Sequence, residues 1–203
     1  MKILFISLGC DKNLADSEEM LGLLTGNGHE IVDSEEEADA IVINTCCFIH
    51  DAKEESVNTI LEMAEYKKTG TCKILIVTGC MAQRYKEEIT EEIPEVDAVL
   101  GTTSYGDIVK ALNEAEAGHV FQEFKDINAL PEDSGRRVIT TGGHFGYLKI
   151  AEGCDKHCTY CIIPSLRGKF RSVPEERLLK QAEYMASQGV RELILVAQET
   201  TVY

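Results

Sequence analysis

Short apolar runs alternate with helical patterns along the first part of the chain. The runs are rich in Ile, Val and Leu and are bounded by Gly, Asp or Asn, which is typical of buried strands; they cover 2–7, 29–33, 40–44, 73–78 and 96–100. Apolar residues at helical spacing predict helices over 17–24, 52–66, 81–93 and 105–117. Strands that alternate with helices favour an α/β fold with a parallel, helix-covered sheet.

The pattern loosens between Gly118 and Gly146, where Pro, Gly, Ser and Asp accumulate and only short strands, over 119–123 and 138–141, are predicted. We therefore predict an N-terminal domain over 1–124, a linker over 125–144 and a second domain over 145–203. The second domain starts with a strand over 147–151, a helix over 174–188 and a strand over 190–197. A closed (β/α) barrel uses roughly 200–250 residues, so we expect only the first part of an incomplete barrel, and a chain that is a fragment.

Charge and apolar content limit the classes of partner and compartment. The chain has 20 Lys and Arg against 35 Asp and Glu, a net charge of -15, which disfavours nucleic acid as a partner for this portion and suits a basic protein. The apolar run behind Lys2 is shorter than the core of an export signal, and no stretch approaches the roughly 20 apolar residues of a membrane span. We expect a cytoplasmic protein whose eight cysteines are reduced, and no membrane partner.

Three of these cysteines follow the predicted strand over 147–151 with the spacing Cys-x3-Cys-x2-Cys: Cys154, Cys158 and Cys161. One loop can wrap three corners of a cuboidal 4Fe-4S cluster, and a loop with three thiols leaves one iron for a non-protein ligand. In radical S-adenosylmethionine (SAM) chemistry that ligand is SAM, which the reduced cluster cleaves to a 5'-deoxyadenosyl radical. The alternative is a zinc knuckle that adds His157, although structural zinc ligands usually come as two separated pairs.

Three more cysteines, Cys10, Cys46 and Cys80, are far apart in sequence but each follows the end of a predicted strand. The carboxyl ends of parallel strands lie along one edge of the sheet, where open α/β sheets hold ligands. These thiols could therefore meet and hold a second cluster with an open iron. By periodicity Cys47 is nearly equivalent to Cys46, and three core cysteines in register by accident is the alternative.

The motifs around both cysteine sets resemble the radical SAM methylthiotransferase family across all 203 residues. The matching segments are Ser7-Leu8-Gly9-Cys10-Asp11-Lys12-Asn13, Asp16-Ser17-Glu18, Asn44-Thr45-Cys46, Ala52-Lys53-Glu54-Glu55-Ser56, Gly79-Cys80-Met81-Ala82-Gln83-Arg84-Tyr85 and Cys158-Thr159-Tyr160-Cys161-Ile162-Ile163-Pro164. Asp11-Lys12 favours the branch that modifies an aspartate of the twelfth small-subunit ribosomal protein. The tRNA-modifying branch usually has Gln at that place.

The resemblance implies the ligands of two 4Fe-4S clusters. It assigns Cys10, Cys46 and Cys80 to an auxiliary cluster and Cys154, Cys158 and Cys161 to the SAM-binding cluster, which settles the choice between Cys46 and Cys47. It also implies that Tyr160 lies against the SAM adenine, with ordinary packing as the alternative reading.

The family's activity is transfer of a methylthio group to an unactivated carbon, here the β-carbon of the substrate aspartate. The implied partners are the ribosomal protein and a reductant protein. A tRNA adenosine methylthiotransferase and an iron-sulfur electron carrier remain the competing functions. No catalytic residue beyond the cluster ligands is assigned, and this chain alone is not expected to turn over.

Overall fold

Six parallel strands form one sheet in the computed structural model, which describes residues 1–132 and 135–203. Asp133 and Ser134 of the predicted linker lie outside the described residues. The spatial order is β2-β1-β3-β4-β5-β6. The strands are β1 (Lys2–Ser7), β2 (Glu30–Val32), β3 (Ala40–Thr45), β4 (Ile74–Gly79), β5 (Ala98–Leu100) and β6 (Phe121–Glu123). The predicted parallel α/β sheet is confirmed, and the last of its strands is the short one expected over 119–123.

Helices cover both faces of this sheet. They are α1 (Asp11–Gly26), α2 (His50–Thr69), α3 (Cys80–Arg84), α4 (Lys86–Glu92) and α5 (Ile108–Glu116), with 3-10 turns at Glu35–Glu37 and Tyr105–Asp107. Alternate residues of a strand point to opposite faces. Ile41 and Ile43 of β3 therefore join the core under α2, whereas Ala40 and Val42 join the core under α1 and α5.

Two of the predicted helices have different bounds in the structure. The helix expected over 17–24 starts earlier, at Asp11, directly after Cys10, and an acidic residue in the first turn suits the positive end of the helix dipole. The single helix expected over 81–93 is wrong, because the chain leaves helical geometry at Tyr85 (φ -122, ψ 36). The Tyr85 ring packs there under the ammonium group of Lys53, 4.4 Å from the ring centroid.

The second α/β unit contains β7 (Phe145–Lys149), β8 (Ala151–Glu152), α6 (Ile163–Arg167), β9 (Arg171–Ser172), α7 (Glu175–Ser187) and β10 (Glu192–Val196). Strands β7 and β10 pair in parallel, and α7 packs over β7 on a small third core. The part of the chain that the structure describes forms no closed barrel here, which agrees with the α/β unit without barrel closure expected after residue 145.

Two strand predictions after residue 137 need correction. The strand expected over 147–151 is two strands, because Ile150 donates its N–H to Val196 but accepts one from Val173, so the chain changes partner there. The segment 138–141 is not a strand. Its backbone N–H groups are bound by Glu18 instead: Val138 donates to the Glu18 carbonyl at 3.0 Å and Thr140 to the Glu18 carboxylate at 2.7 Å.

None of the helices in the described part of the chain is both long and apolar enough to cross a bilayer.

Candidate functional site

The carboxyl ends of three adjacent strands carry the first cysteine set. Strands β1, β3 and β4 are parallel neighbours that end at Ser7, Thr45 and Gly79. Their register places Ser7 beside Asn44, and Thr45 beside Gly79. The residues that follow, Cys10, Cys46 and Cys80, therefore start from the same edge of the sheet.

Two glycines allow close backbone approach at this edge. Gly9 has φ +93, and a Cβ there would lie 2.7 Å from Cβ and 2.9 Å from Sγ of Cys46. Gly79 has φ +94, and a Cβ there would run into the side chain of Asn44 and the backbone of Thr45. Since only glycine adopts this conformation freely and leaves this space, the glycines that precede Cys10 and Cys80 are part of how the strand ends come together.

Polar side chains from the family motifs join the same strand ends. The amide of Asn13 donates to the carbonyl oxygens of Leu8 and Thr45, each at 2.9 Å. The hydroxyl of Ser56 accepts from the Cys46 N–H at 3.0 Å and donates to the Cys46 carbonyl at 2.7 Å. These bonds satisfy buried backbone groups where the sheet ladder stops, so they fix the loops that carry the cysteines.

The three thiols differ in exposure. Cys46 and Cys80 are buried, whereas Cys10 is exposed at the start of α1. Burial raises the pKa of the Cys80 thiol above its usual value, the Arg167 guanidinium opposes that rise, and Cys46 and Cys10 lie close enough to add to it. The structure thus places Cys10 and Cys46 within electrostatic reach of Cys80.

Across residues 1–132 and 135–203, no three His, Cys, Asp or Glu side chains have the geometry that would hold a single metal ion. A cuboidal cluster bonds each cysteine to a different iron, so its ligands are spaced more widely than those of one ion. Thiols from three loops at one sheet edge, with glycine in place of a side chain beside Cys46, fit the donor set of such a cluster.

Cys47 and Cys72 belong to one hydrophobic core, Cys47 after the carboxyl end of β3 and Cys72 before the amino end of β4. Cys47 is 2% exposed, and its Sγ donates to the carbonyl oxygen of Cys80 at 3.3 Å. Burial raises the pKa of Cys47 to about 12 and also raises that of Cys72. The place of Cys47 in the core and its bond to the Cys80 carbonyl suit a core thiol.

The second cysteine set lies on the loop after β8. Cys154 and Cys161 are partly exposed and Cys158 is exposed. The Cys154 N–H donates to the Gly168 carbonyl at 3.1 Å, and the Cys161 N–H donates to the Cys158 carbonyl at 3.0 Å. The Lys156 N–H points at Sγ of Cys154 at 3.4 Å. The loop is therefore held at its base while its three sulfurs stay open to a large ligand.

The loop also carries the charged side chain of Lys156 and two rings, those of His157 and Tyr160. Lys156 forms an ion pair with Glu199, which follows β10, and this contact holds the pKa of Glu199 at about 2. Tyr160 is 90% exposed, so its ring makes little contact with the described part of the chain. His157 is also exposed.

Helix α6 brings the second cysteine loop against the first domain. Leu166 is 1% exposed in the core of the first sheet, and its carbonyl accepts from the Thr102 hydroxyl at 2.8 Å. Ile162, the residue after Cys161, packs on the same core as Leu8, two residues before Cys10. The two cysteine sets are thus carried by segments that pack on one core.

Buried charges join the two parts of the chain beside this contact. Lys149 of β7 forms ion pairs with Asp16 of α1 and with Glu152 of β8, the second at 2.7 Å. Arg167 also binds Asp16, at 2.7 Å, and all four side chains are at most 8% exposed. Burial alone raises the pKa of Glu152, but Lys149 and Arg167 outweigh it and lower that pKa. The Glu152 carboxylate is consequently ionised, and both acidic side chains are paired with cations, as buried charges must be.

Sequence reasoning identified the cysteines but missed the residues that position them. The set comprises Gly9, Asn13, Asp16, Ser56, Gly79, Lys149, Glu152, Lys156 and Arg167. Some of them could have been found from the sequence, because the motifs that carry the family resemblance contain Gly9, Asn13, Asp16, Ser56 and Gly79. For Lys149, Glu152 and Arg167 no local pattern separates a buried ion pair from an exposed charge.

Known proteins match the chain in both parts. Residues 2–101 match the uncharacterized protein family UPF0004, and residues 148–203 match the radical SAM superfamily. A protein of Lachnoclostridium phytofermentans named ribosomal protein uS12 methylthiotransferase RimO is 66% identical over 203 residues. The protein of the same name from Clostridioides difficile is 51% identical over 203 residues. In both cases the match covers 100% of this chain and 46% of the relative.

The chain therefore spans about half the length of these relatives, and both of its cysteine sets fall within the matched family regions. The first set lies within 2–101 and the second within 148–203. Over its whole length the chain is thus similar to part of proteins named as methylthiotransferases, and residues 148–203 match the radical SAM superfamily.

Proposed function

We propose that this chain is part of an enzyme that transfers a methylthio group to an aspartate β-carbon of ribosomal protein uS12, and that it holds two 4Fe-4S clusters. The observation that carries the proposal is the pair of three-thiol sets on segments that pack on one core, in a chain 66% identical to a protein named for this reaction. Each set supplies three sulfurs, so each leaves an iron without a protein ligand.

The ligands proposed for the auxiliary cluster are Cys10, Cys46 and Cys80, and those for the SAM-binding cluster are Cys154, Cys158 and Cys161. When bound, the clusters and SAM supply one-electron reduction, radical hydrogen abstraction and a methylated sulfur. The chain's own residues bind and orient. The Lys156 N–H donates toward Cys154, and the exposed Tyr160 ring is available to stack on the adenine of SAM.

Charge supports a protein substrate over tRNA. The net charge of -15 attracts a basic ribosomal protein and repels a phosphate backbone. The alternative, a tRNA adenosine methylthiotransferase, uses the same cysteines and would need basic contacts from elsewhere. A reductant protein is the second partner, and the cytoplasm is the compartment where ribosomal protein, reductant and reduced thiols occur together.

The cluster assignment is tested by anaerobic reconstitution of the chain with iron and sulfide. We expect about eight irons per chain, and about four after replacing either complete cysteine set with Ala. EPR of the reduced chain should show a cluster signal that changes on adding SAM only while Cys154, Cys158 and Cys161 are intact. A cluster signal that does not change on adding SAM would favour an electron carrier. Protein that contains zinc but no iron would exclude both the methylthiotransferase and the electron carrier.

The substrate is tested in a strain that lacks the gene. Mass spectrometry of uS12 and of tRNA from the deletion strain should show loss of a methylthio group from an aspartate of uS12, with tRNA unchanged. Restoring the gene should restore the group, and restoring it with Cys158→Ala should not. Loss from a tRNA adenosine instead would replace this function with the alternative one.

A further inference from the structure

Arg167 is a buried residue that is not among the proposed cluster ligands. It is the last residue of α6 and is 3% exposed. Its Nη2 donates to Oδ1 of Asn13 at 2.6 Å, and its Nη1 donates to Oδ2 of Asp16 at 2.7 Å. The Sγ of Cys80 lies 4.0 Å from the same Asn13 oxygen. The guanidinium of the second part of the chain and a cysteine of the first set therefore share one partner, Asn13 Oδ1.

The same guanidinium contacts the strand that leads into the second set. Its Nη1 lies 3.4 Å from Oε1 of Glu152, which is two residues before Cys154. Arg167 itself is six residues after Cys161, so the second loop starts beside one of its contacts and returns to it. The planar fork of an arginine can hold several oxygens and a sulfur at fixed angles, which a lysine ammonium cannot do.

Local structure leaves Arg167 little freedom to point elsewhere. Leu166 beside it is anchored in the first core, and Gly168 ends the helix with φ +71. A side chain at Gly168 would collide with the carbonyl of Ile127. Because the residues on both sides are fixed, the Arg167 side chain is directed into the sheet edge.

Arg137 is a second buried arginine that pairs with an α1 carboxylate, and it serves as the comparison for Arg167. It is 6% exposed, belongs to the segment that joins the two parts of the chain, and binds Glu18 of α1 at 2.5 Å. Among the described residues it hydrogen-bonds Glu18 and Met185 but no cysteine. Both arginines are therefore buried partners of an α1 carboxylate, but among the described residues only Arg167 shares a partner, Asn13 Oδ1, with a proposed cluster ligand.

We propose that Arg167 is a positioning residue that fixes Cys80 of the first set relative to Cys154 of the second and sets the reduction potential of the auxiliary cluster. This inference rests on the proposed function, because it requires a cluster at Cys80. A positive charge beside a ligand sulfur stabilises the reduced cluster, which carries one more negative charge, and so raises the potential. Removing that charge should lower the potential.

The test measures the auxiliary cluster alone, in the full chain with Cys154, Cys158 and Cys161 replaced by Ala. Arg167→Gln and Arg137→Gln are reconstituted anaerobically and titrated potentiometrically with EPR detection. We expect reduction in Arg167→Gln to be about tenfold less favourable, which is about 59 mV for one electron, and Arg137→Gln to match the parent. Equal potentials in the two variants would overturn the inference.

A second readout requires no cluster. In the iron-free chain with all cysteines present, hydrogen exchange of the amides over 153–161 should be faster in Arg167→Gln than in Arg137→Gln, since only the first variant frees Glu152 from the guanidinium. Equal exchange in the two variants would contradict the positioning role. If a Gln variant does not fold, Arg167→Lys and Arg137→Lys are used instead. Arg167→Lys should lower the reduction potential by less than Arg167→Gln, and Arg137→Lys should leave it unchanged.

These outcomes separate the inference from the function on which it rests. If the parent with the intact first set binds no iron, the proposed auxiliary cluster itself fails. If the parent and both variants bind iron and share one potential, the cluster stands and the role of Arg167 fails.

Discussion

The side-chain amide of Asn44 donates to the backbone carbonyl of Asn13 at 2.9 Å, while the Asn13 amide reaches back to the carbonyl of Thr45, the residue after Asn44, at the same distance. Asn44 also donates to the Ser17 hydroxyl at 2.9 Å. The first turn of α1 and the end of β3 are thereby joined by reciprocal bonds. These bonds hold Cys10 and Cys46 in place from the residues beside them.

Replacing Asn13 with Ala should destabilise the chain by roughly 2–4 kcal/mol, because the buried carbonyl of Thr45 and the partly buried carbonyl of Leu8 lose their shared donor. Asn27 is the matched control. Its amide also donates to a backbone carbonyl, that of Leu23, but at an exposed site, so Asn27→Ala should cost about 1 kcal/mol or less. Urea unfolding of the iron-free chain under reducing conditions measures both, and equal losses would show that the Asn13 bonds contribute nothing beyond a surface cap.

A methyl group at Gly79 should disturb the first cysteine set more than the left-handed backbone alone explains. Gly118 has a similar φ, +81 against +94, but open space around it. Gly118→Ala should therefore cost only the conformational strain of about 1–2 kcal/mol. Gly79→Ala adds the collision with Asn44 and Thr45, worth roughly 1–3 kcal/mol more.

The measurement for these glycines combines denaturant unfolding with iron content after reconstitution. We expect Gly79→Ala to lose the iron of the first set and to keep that of the second, and Gly118→Ala to keep both. Full iron content in Gly79→Ala would mean that the strand ends can move apart without loss of the ligand set.

The strands and their common edge could be predicted from the sequence because fully buried parallel strands read as continuous apolar runs. The run 40–44, for example, is buried at every position of β3. From strand ends on one edge, topology alone predicts that Cys10, Cys46 and Cys80 start from neighbouring positions. The segment 138–141 has the same apolar and β-branched character but is bound by Glu18, a partner that local patterning does not reveal.

The buried acidic face of α1 could not be predicted for a related reason. Asp16, Glu18 and Glu19 are each at most 5% exposed, although Asp and Glu are almost never buried unless they are paired. Lys149 and Arg137, which bind Asp16 and Glu18, are more than 110 residues away in sequence, and Tyr105, which binds Glu19, is 86 residues away. An amphipathic pattern predicts which face meets the sheet, but it does not predict that a second part of the chain covers the other face.

Cys46 and Cys47 should behave differently although they are adjacent. Cys47 is committed to the core and donates to the Cys80 carbonyl, so Cys47→Ala should retain the iron of the first set. Cys46→Ala should lose it, because Cys46 faces the space that Gly9 leaves open. Iron and sulfide analysis after anaerobic reconstitution decides between them, and iron loss in Cys47→Ala with full retention in Cys46→Ala would reverse the assignment.

Glu19 should make the stability of the iron-free chain depend on pH. It is 5% exposed and accepts a hydrogen bond from the Tyr105 hydroxyl at 3.1 Å. Burial raises the pKa of Glu19 above its usual 4.5, and the nearby Lys149 ammonium only partly opposes this. The unfolded chain ionises first as pH rises through 4.5, so folding loses about 1.4 kcal/mol for each pH unit up to the raised pKa.

Gln at position 19 keeps an acceptor for Tyr105 and cannot ionise. Glu19→Gln should therefore match the parent below about pH 4 and become the more stable protein as pH rises. Glu62→Gln, at an exposed position of α2, is the control. Its free energy of unfolding should stay close to that of the parent at every pH. Urea unfolding of the three proteins between about pH 4 and pH 8 gives the curves. A variant less stable than the parent at pH 7 would mean that Glu19 is ionised in the folded chain and that its attraction to Lys149 exceeds the cost of burial.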